Sequence, residues 1–326
     1  MYKRQKNIHL VCSENSSHFN ELKEVFSSAS ITTSSIAYDP FNKLIEIPKS
    51  PKERYKIMTS EMPKGGKLSL DMMYKTAGIQ INYDYTSEED FEKKFKIGNY
   101  LAPLTIALFA NSPFNENKLS GFLSYRGKVW QETNRGGIMP ITFEKLNFEK
   151  YIDYAINYPI LFLKKKGKYF SPNGQTFKDF LDGSLNFLKG EKPSLEDFEN
   201  HLGTIFTEIR LKQVIEFRSL DTCNFGCICN GPSFFTGLIY GSLDETYEII
   251  KNWKKEEVMD AYLNAPKQGL NTMLRNKKLI DWAKIFLDLS KKGLDKRNEL
   301  NKSGKNETIY LKHIEEIIKN KKTRAE

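Results

Sequence analysis

Polar and apolar residues alternate strictly from Thr76 to Asp84. Thr76, Gly78, Gln80, Asn82 and Asp84 share one face, and Ala77, Ile79, Ile81 and Tyr83 the other. This two-residue period predicts a strand with one buried face, expected from Leu68 to Tyr85. A second alternation runs from Glu208 to Arg218. Ile209, Leu211, Gln213, Ile215 and Phe217 point one way, while Glu208, Arg210, Lys212, Val214, Glu216 and Arg218 point the other. Between these strands Thr86-Ser87-Glu88-Glu89 is a good helix start, and Phe91, Phe95, Ile97, Leu101, Leu104, Ile106 and Leu108 carry an apolar face toward Ala110. Helices are also predicted for Ser13 to Ala29, Lys52 to Glu61 (stopped by Pro63), Phe148 to Leu163, Gln175 to Leu181 and Ser194 to Leu202. The Ser/Thr-rich stretch 27–35 leads into a short strand ending near Tyr38, and Pro40, Pro48 and Pro51 keep the next segment irregular. From Pro232 onward the pattern is helical: Phe234 to Tyr240, Leu243 to Trp253, Lys255 to Leu263, Lys277 to Lys292 and Ile309 to Lys319. No internal repeat is visible.

The polar face of the first strand is unusual. A solvated exterior strand carries Lys, Glu and Thr, whereas this face offers two amides and a carboxylate beside Gly78, which would let a ligand approach the backbone. Downstream, GFLSYRGKVWQETNRGGIMP places Arg126, Trp130 and Arg135 close together, ahead of Gly136, Gly137 and Pro140. Two guanidiniums near glycines suit bidentate capture of carboxylate or phosphate oxygens, which Lys cannot reproduce. A surface hairpin with a buried Trp is the competing reading. The charged face of the second strand can likewise be plain exterior.

Composition sets bounds. A chain of 326 residues, 39% hydrophobic and 13% aromatic, can bury a substantial core. No run approaches a membrane span and no signal peptide is legible, so a soluble cytoplasmic protein is expected. The net charge of +9 comes from short scattered Lys groups, without an Arg-aromatic stripe, and argues against nucleic acid. Cys12, Cys223, Cys227 and Cys229 are too few for a secreted disulfide scaffold. The C-x3-C-x-C group lacks a nearby His or second Cys pair, so free thiols are expected in preference to a metal site.

LDMMYKTAGIQINYDYTSEEDF, ALFANSPFNENKLSGFLSYRGKVWQET and ENHLGTIFTEIRLKQVIEFRSLD resemble the glutamate-cysteine ligase family of the plant and proteobacterial type, and PKERYKIMTSEMPK and GPSFFTGLIYGSLDET keep the same register. The resemblance implies an α+β fold in which an antiparallel catalytic sheet is surrounded by helices, as in glutamine synthetase-like carboxylate-amine ligases. It also implies ATP and Mg²⁺ as cofactors and L-glutamate and L-cysteine as substrates, joined through a γ-glutamyl phosphate in the first step of glutathione synthesis. MYKRQ reads as a sequencing-adaptor artefact, and residues from Lys6 onward resemble the helix that follows the family's glutamate-rich N-terminal strands. The fold is therefore expected to be incomplete at its N-terminus, with the metal-binding glutamates outside this chain and the metal ligands unassigned. The organisation expected is 1–36 as start, helix and link, and 37–326 as ligase region with a helical C-terminal part.

By the same resemblance Arg126, Arg135 and Arg218 are catalytic candidates. Arg54, Met73, Thr76, Gln80, Asn82, Trp130, Tyr154 and Arg210 are substrate-binding candidates, with Trp130 and Tyr154 walling the pocket. Asp84, Glu208 and Glu216 are either metal-proximal carboxylates or salt-bridge partners of the arginines, and His201 reads as structural. Arg126 is expected to grip a substrate carboxylate or phosphate and not merely to support the fold, so that replacing it with Lys would move thermal stability little. The chain has no Walker loop and no G-x-G-x-x-G, as the resemblance implies. The cysteines of the plant regulatory disulfide are replaced by Pro172 and Phe187, so that switch is expected to be absent. Two alternatives stay open: a related ligase with another amine acceptor, and an inactive truncated fragment.

Overall fold

The computed structural model describes residues 5–326, so most of the suspected adaptor stretch lies outside the described residues. The chain forms helices α1 (Ile8–Ser28), α2 (Glu53–Glu61) and α3 (Ser69–Lys75), then strand β1 (Gly78–Tyr83). Helices α4 (Glu88–Tyr100) and α5 (Ala102–Leu108), the hairpin β2 (Phe114–Asn115) and β3 (Lys118–Leu119), α6 (Tyr125–Gln131) and α7 (Phe148–Ile156) follow. A second hairpin, β4 (Leu163–Lys165) and β5 (Lys168–Phe170), precedes α8 (Phe177–Asp182), α9 (Leu195–Leu202), β6 (Ile209–Leu211) and β7 (Ile215–Asp221). The rest is α10 (Asn230–Thr236), α11 (Leu243–Ile250), α12 (Lys255–Gln268), the hairpin β8 (Met273–Leu274) and β9 (Lys277–Lys278), α13 (Leu279–Arg297) and α14 (Lys312–Asn320). Among the described residues no helix is long and apolar enough to cross a membrane.

The functional framework is the antiparallel sheet β1-β7-β6. Its apolar face carries Ile79, Ile81, Tyr83, Ile209, Leu211, Ile215, Phe217 and Leu220, all buried in the main core. Helix α4 packs there through Phe91, Phe95 and Ile97, each fully buried. Ser87 caps α4 by accepting from the Asp90 amide at 3.1 Å, and three acidic residues occupy its first turn, a favourable match to the helix dipole. Pro103, in the first turn of α5, cannot donate to the preceding helix, so the predicted continuous helix is broken at Leu101.

Several expected elements are corrected. The strand begins only at Gly78, because residues 69–75 are helical: Leu68 and Met72 lie one turn apart and pack on the same apolar cluster. The second alternation is a hairpin, with Lys212 to Val214 turning the chain between β6 and β7. Helix α7 stops at Ile156, ahead of Pro159, and the basic run Lys164 to Lys166 enters a two-residue turn. Lys166 and Gly167 there have φ of 49° and 78°, the left-handed pair that matches hairpin twist. The GFLSYR segment is no hairpin; Ser124 Oγ accepts from the Gly127 amide at 3.0 Å and opens α6. Nor are the cysteines free, since Cys12 pairs with Cys229 and Cys223 with Cys227.

Candidate active site

The polar face of the sheet gathers charge. Register places Asn82 opposite Glu216 and Glu216 opposite Arg210, giving one row across all three strands. Glu216 accepts from Arg210 Nε and, at 3.1 Å, from Arg218 Nη1. Arg210 Nη1 continues the row, donating to the Gly203 carbonyl at 2.7 Å and the Ile205 carbonyl at 3.1 Å. A bulge opposite Gln80 lets β7 contribute both Arg218 and Ser219 before the pairing resumes with Leu220 and Asp221.

Helix α6 brings Arg126 onto this face. Its Nη2 donates to the Arg218 carbonyl at 2.7 Å, and its Nη1 lies 3.6 Å from Asp221 Oδ1. The approach is close enough that a Cβ on Gly78 would stand 2.5 Å from Arg126 Nη2. Gly78 thus admits an arginine of the chain itself, in place of the ligand expected from the sequence. Trp130, one turn along α6, lies between two guanidiniums, with Arg126 Cζ 5.2 Å and Arg218 Cζ 5.1 Å from its ring centroid.

Three carboxylates compensate this charge. Asp221 accepts from the Asn111 amide at 2.9 Å, Ser112 Oγ at 2.7 Å and Ser124 Oγ at 3.0 Å, tying the strand to the α5–β2 link and the cap of α6. Glu208 accepts from the Tyr262 hydroxyl at 2.6 Å. Burial pushes both carboxyls above their ordinary range, against the pull of Arg126 and their hydrogen bonds. Burial acts on Glu216 in the same direction, but Arg218 and Arg210 outweigh it and hold the group low. Burial also lowers Arg218 to about 10.

Arg135 differs from the other arginines. It is 4% exposed, and burial lowers it to about 10. All its hydrogen bonds go to neutral acceptors: Thr204 O at 2.8 Å, Thr204 Oγ1 at 3.0 Å and Pro159 O at 3.0 Å, with Tyr158 beneath its guanidinium. The site therefore contains a buried cation without a carboxylate partner.

Two cavities flank the charged row. One, of about 510 Å³, runs along β1 and is lined by Gln80, Asn82, Asp84, Glu14, Asn15 and Tyr240 among others. The second, of about 630 Å³, lies between α2 and α9 and includes Arg54, Phe162, Gly203, Thr204 and Lys212. Gln213, in the β6–β7 turn, lines both. The sequence candidates are thus divided: Gln80 and Asn82 face the first cavity, Arg54 the second, and Arg126, Arg135, Arg210, Arg218 and Trp130 line neither.

The remaining candidates also make contacts within the chain. Thr76 Oγ1 donates to the Met72 carbonyl at 2.6 Å, and Met73 packs in the apolar cluster that contains Trp130. Tyr154 packs against Tyr158 with centroids 5.4 Å apart and the rings tilted by 38°. Asp84 accepts from the Tyr240 hydroxyl. His201, buried, is bonded through Nε2 to the Ala155 carbonyl at 2.8 Å. The charged strand face is interior, which removes the exterior reading. Arg126 is 2% exposed and bonded within the chain, so it also supports the fold. Asp221, Tyr262 and the Gly203-Thr204 link escaped sequence reasoning. Asp221 was hidden because the bulge shifts the phase of the alternation, whereas the other contacts are long-range.

A small antiparallel sheet with a buried, arginine-rich polar face, enclosed by helices, makes this an α+β protein. The family model for Glutamate-cysteine ligase family 2 matches residues 3–325. The chain is 40% identical over 324 residues to the chloroplastic glutamate–cysteine ligase of Solanum lycopersicum, covering 98% of this chain and 61% of that protein. It is 39% identical to glutamate–cysteine ligase B of Oryza sativa subsp. japonica, covering 64% of it, and 40% identical to the Arabidopsis thaliana protein, covering 61%. The chain belongs to glutamate-cysteine ligase family 2 and spans 61 to 65% of the length of these curated relatives.

Proposed function

We propose that, within a chain of its relatives' length, this region carries out ATP-dependent ligation of the L-glutamate γ-carboxylate to the amine of L-cysteine, the first step of glutathione synthesis. The observation that carries this reading is the clustering of Arg126, Arg210 and Arg218 on one buried sheet face between two cavities. In the reaction a glutamate carboxylate oxygen attacks the γ-phosphorus of ATP and releases ADP. The cysteine amine then displaces phosphate from the γ-glutamyl phosphate. Both steps build charge on oxygens, and preorganised guanidiniums stabilise that charge without reorganising. Arg126 Nε, Arg218 Nε and Trp130 Nε1 are buried donors without protein acceptors, which suits a face that receives an oxygen-rich ligand.

Mg²⁺ belongs to the same family reading, but the described residues do not fit it. They contain no group of three or more His, Cys, Asp or Glu side chains arranged to hold a metal. Glu216 is engaged by two arginines, Asp221 by three hydrogen-bond donors and Glu208 by Tyr262. A cytoplasmic setting is part of the proposal; "chloroplastic" in the relatives' names describes those proteins.

The test is a chimera in which the N-terminal part of the tomato relative precedes Asn7. It should form γ-glutamylcysteine and ADP in equal amounts when given ATP, glutamate and cysteine. A folded chimera that couples glutamate to a different amine, or hydrolyses ATP without a cysteine-dependent product, would overturn the assignment.

A further inference from the structure

Arg126, Arg210 and Arg218 share their buried face with Glu208, Glu216 and Asp221. Glu216 pairs with Arg210 and Arg218, and Asp221 with Arg126. Glu208 lies in the field of Arg126 and Arg218 but makes no ion pair with either. Among the described residues its carboxylate takes a single hydrogen bond, from the Tyr262 hydroxyl at 2.6 Å. Arg126 Nε and Arg218 Nε, meanwhile, are buried without an acceptor. A carboxylate and guanidinium donors enclosed on one buried face would ordinarily join in a charge-assisted hydrogen bond. Here they are kept apart.

Tyr262 reaches this face from α12, which is fixed to the helix carrying Arg126. Gln131 Nε2 of α6 donates to the Tyr262 carbonyl at 2.5 Å, and the Leu123 and Ser124 amides donate to the Pro266 carbonyl at 2.8 and 3.0 Å. The phenol is buried, and burial together with the Glu208 charge keeps it protonated, so the hydroxyl donates and the carboxylate accepts. The main chain of Glu208 is held as well: its amide donates to the Gly137 carbonyl at 3.0 Å, and its carbonyl accepts from the Arg218 amide at 2.9 Å. With the backbone clipped at both groups, the Tyr262 hydroxyl sets the direction of the side chain.

We propose that Tyr262 is a positioning residue of the ligation site: it holds the Glu208 carboxylate away from Arg126 and Arg218 and so leaves their Nε donors open to a phosphate or carboxylate oxygen. The inference rests on the ligation reading above and adds a residue that acts through others. Removing the hydroxyl lets Glu208 turn onto a guanidinium. That arginine then loses both the free donor and much of the positive charge that an anionic ligand needs.

The experiment measures inorganic tripolyphosphate binding to the 326-residue chain by calorimetry. Tyr262→Phe should weaken binding by about tenfold, and adding Glu208→Gln should restore it to within about twofold of the unaltered chain, because a neutral amide leaves the guanidinium charge in place. Glu208→Gln alone should bind as the unaltered chain does. Melting curves accompany each variant, and Tyr262→Phe should melt close to the unaltered chain, since the lost hydroxyl bond is offset by the new ion pair. A merely structural tyrosine gives the opposite pattern: a lower melting temperature and a double variant that binds no better than the single one. That pattern, unchanged affinity in Tyr262→Phe, loss of binding in Glu208→Gln, or no binding by the unaltered chain would each overturn the proposal. None of these measurements needs glutamate, cysteine or turnover, so the product formed by the tomato chimera tests the ligase reading separately.

Discussion

At the residue scale, burial decides what each charged group can do. Neutral His201 donates from Nε2 to Ala155, while its Nδ1 is buried without a partner beside Phe177. Burial lowers its pKa to about 4. The unfolded chain takes up this proton near pH 6.5, so stability is complete above that pH and is lost as the pH falls from 6.5 through 4. The loss should approach about 3 kcal/mol. His201→Gln, which can still donate to Ala155, should flatten the fall in urea-measured stability between pH 7 and 4; an identical slope would mean another group causes it. Arg126→Lys keeps the charge but cannot reach both the Arg218 carbonyl and Asp221. It should cost about 2 kcal/mol of stability, read from the denaturation midpoint, and an unchanged midpoint would show that the guanidinium contributes nothing to packing. Arg126 and Gly78 each stood out in the sequence. That Gly78 serves Arg126 was not, because the contact spans residues far apart in the chain.

At the element scale, the period-two faces held only within Gly78 to Tyr83, Ile209 to Leu211 and Ile215 to Phe217, where one face lies in the core; the stretch before Gly78, the turn at Lys212 to Val214 and the bulge after Phe217 broke the pattern. The short hairpins at Leu163 to Phe170 and Met273 to Lys278 did not stand out. Their strands are too brief to show a period, and they lie within charged runs. Helix packing was equally hidden. Gly237, in the π-helical turn Gly237–Gly241, meets α13 so closely that a Cβ on Gly293 would stand 1.9 Å from the Gly237 carbonyl oxygen. Gly293→Ala should therefore destabilise by about 1 to 3 kcal/mol or prevent folding, and wild-type thermal stability would show that the helices can separate at no cost. Helix α1 is held through Cys12–Cys229, which joins residues 217 apart, and by the Ile8 amide donating to Glu307 at 2.7 Å. Cys12→Ser should lower stability by about 2 to 5 kcal/mol under oxidising conditions and remove most of the effect of dithiothreitol. Equal sensitivity to reductant in the variant would move that effect to Cys223–Cys227.

At the scale of the whole molecule, the arginine face and the two cavities supply positive charge and shape, while Glu216, Asp221 and Glu208 on that face are already committed to arginines, hydroxyls and an amide. Glu216 leaving its two arginines for a metal would strand buried guanidiniums, at a cost of about 3 to 5 kcal/mol. Phosphoryl transfer from ATP needs further charge on the β- and γ-oxygens, which free carboxylates holding Mg²⁺ would provide. Binding and turnover should therefore separate. The 326-residue chain should bind ATP while forming little or no γ-glutamylcysteine, and the chimera carrying the tomato relative's N-terminal part should gain turnover without a matching gain in ATP affinity. Calorimetry with ATP and a coupled assay for ADP and γ-glutamylcysteine check the two halves independently. Robust glutamate- and cysteine-dependent ADP release by the chain alone would show that its own residues complete the phosphoryl-transfer site, and would direct the search for metal ligands to Glu208, Glu216 and Asp221.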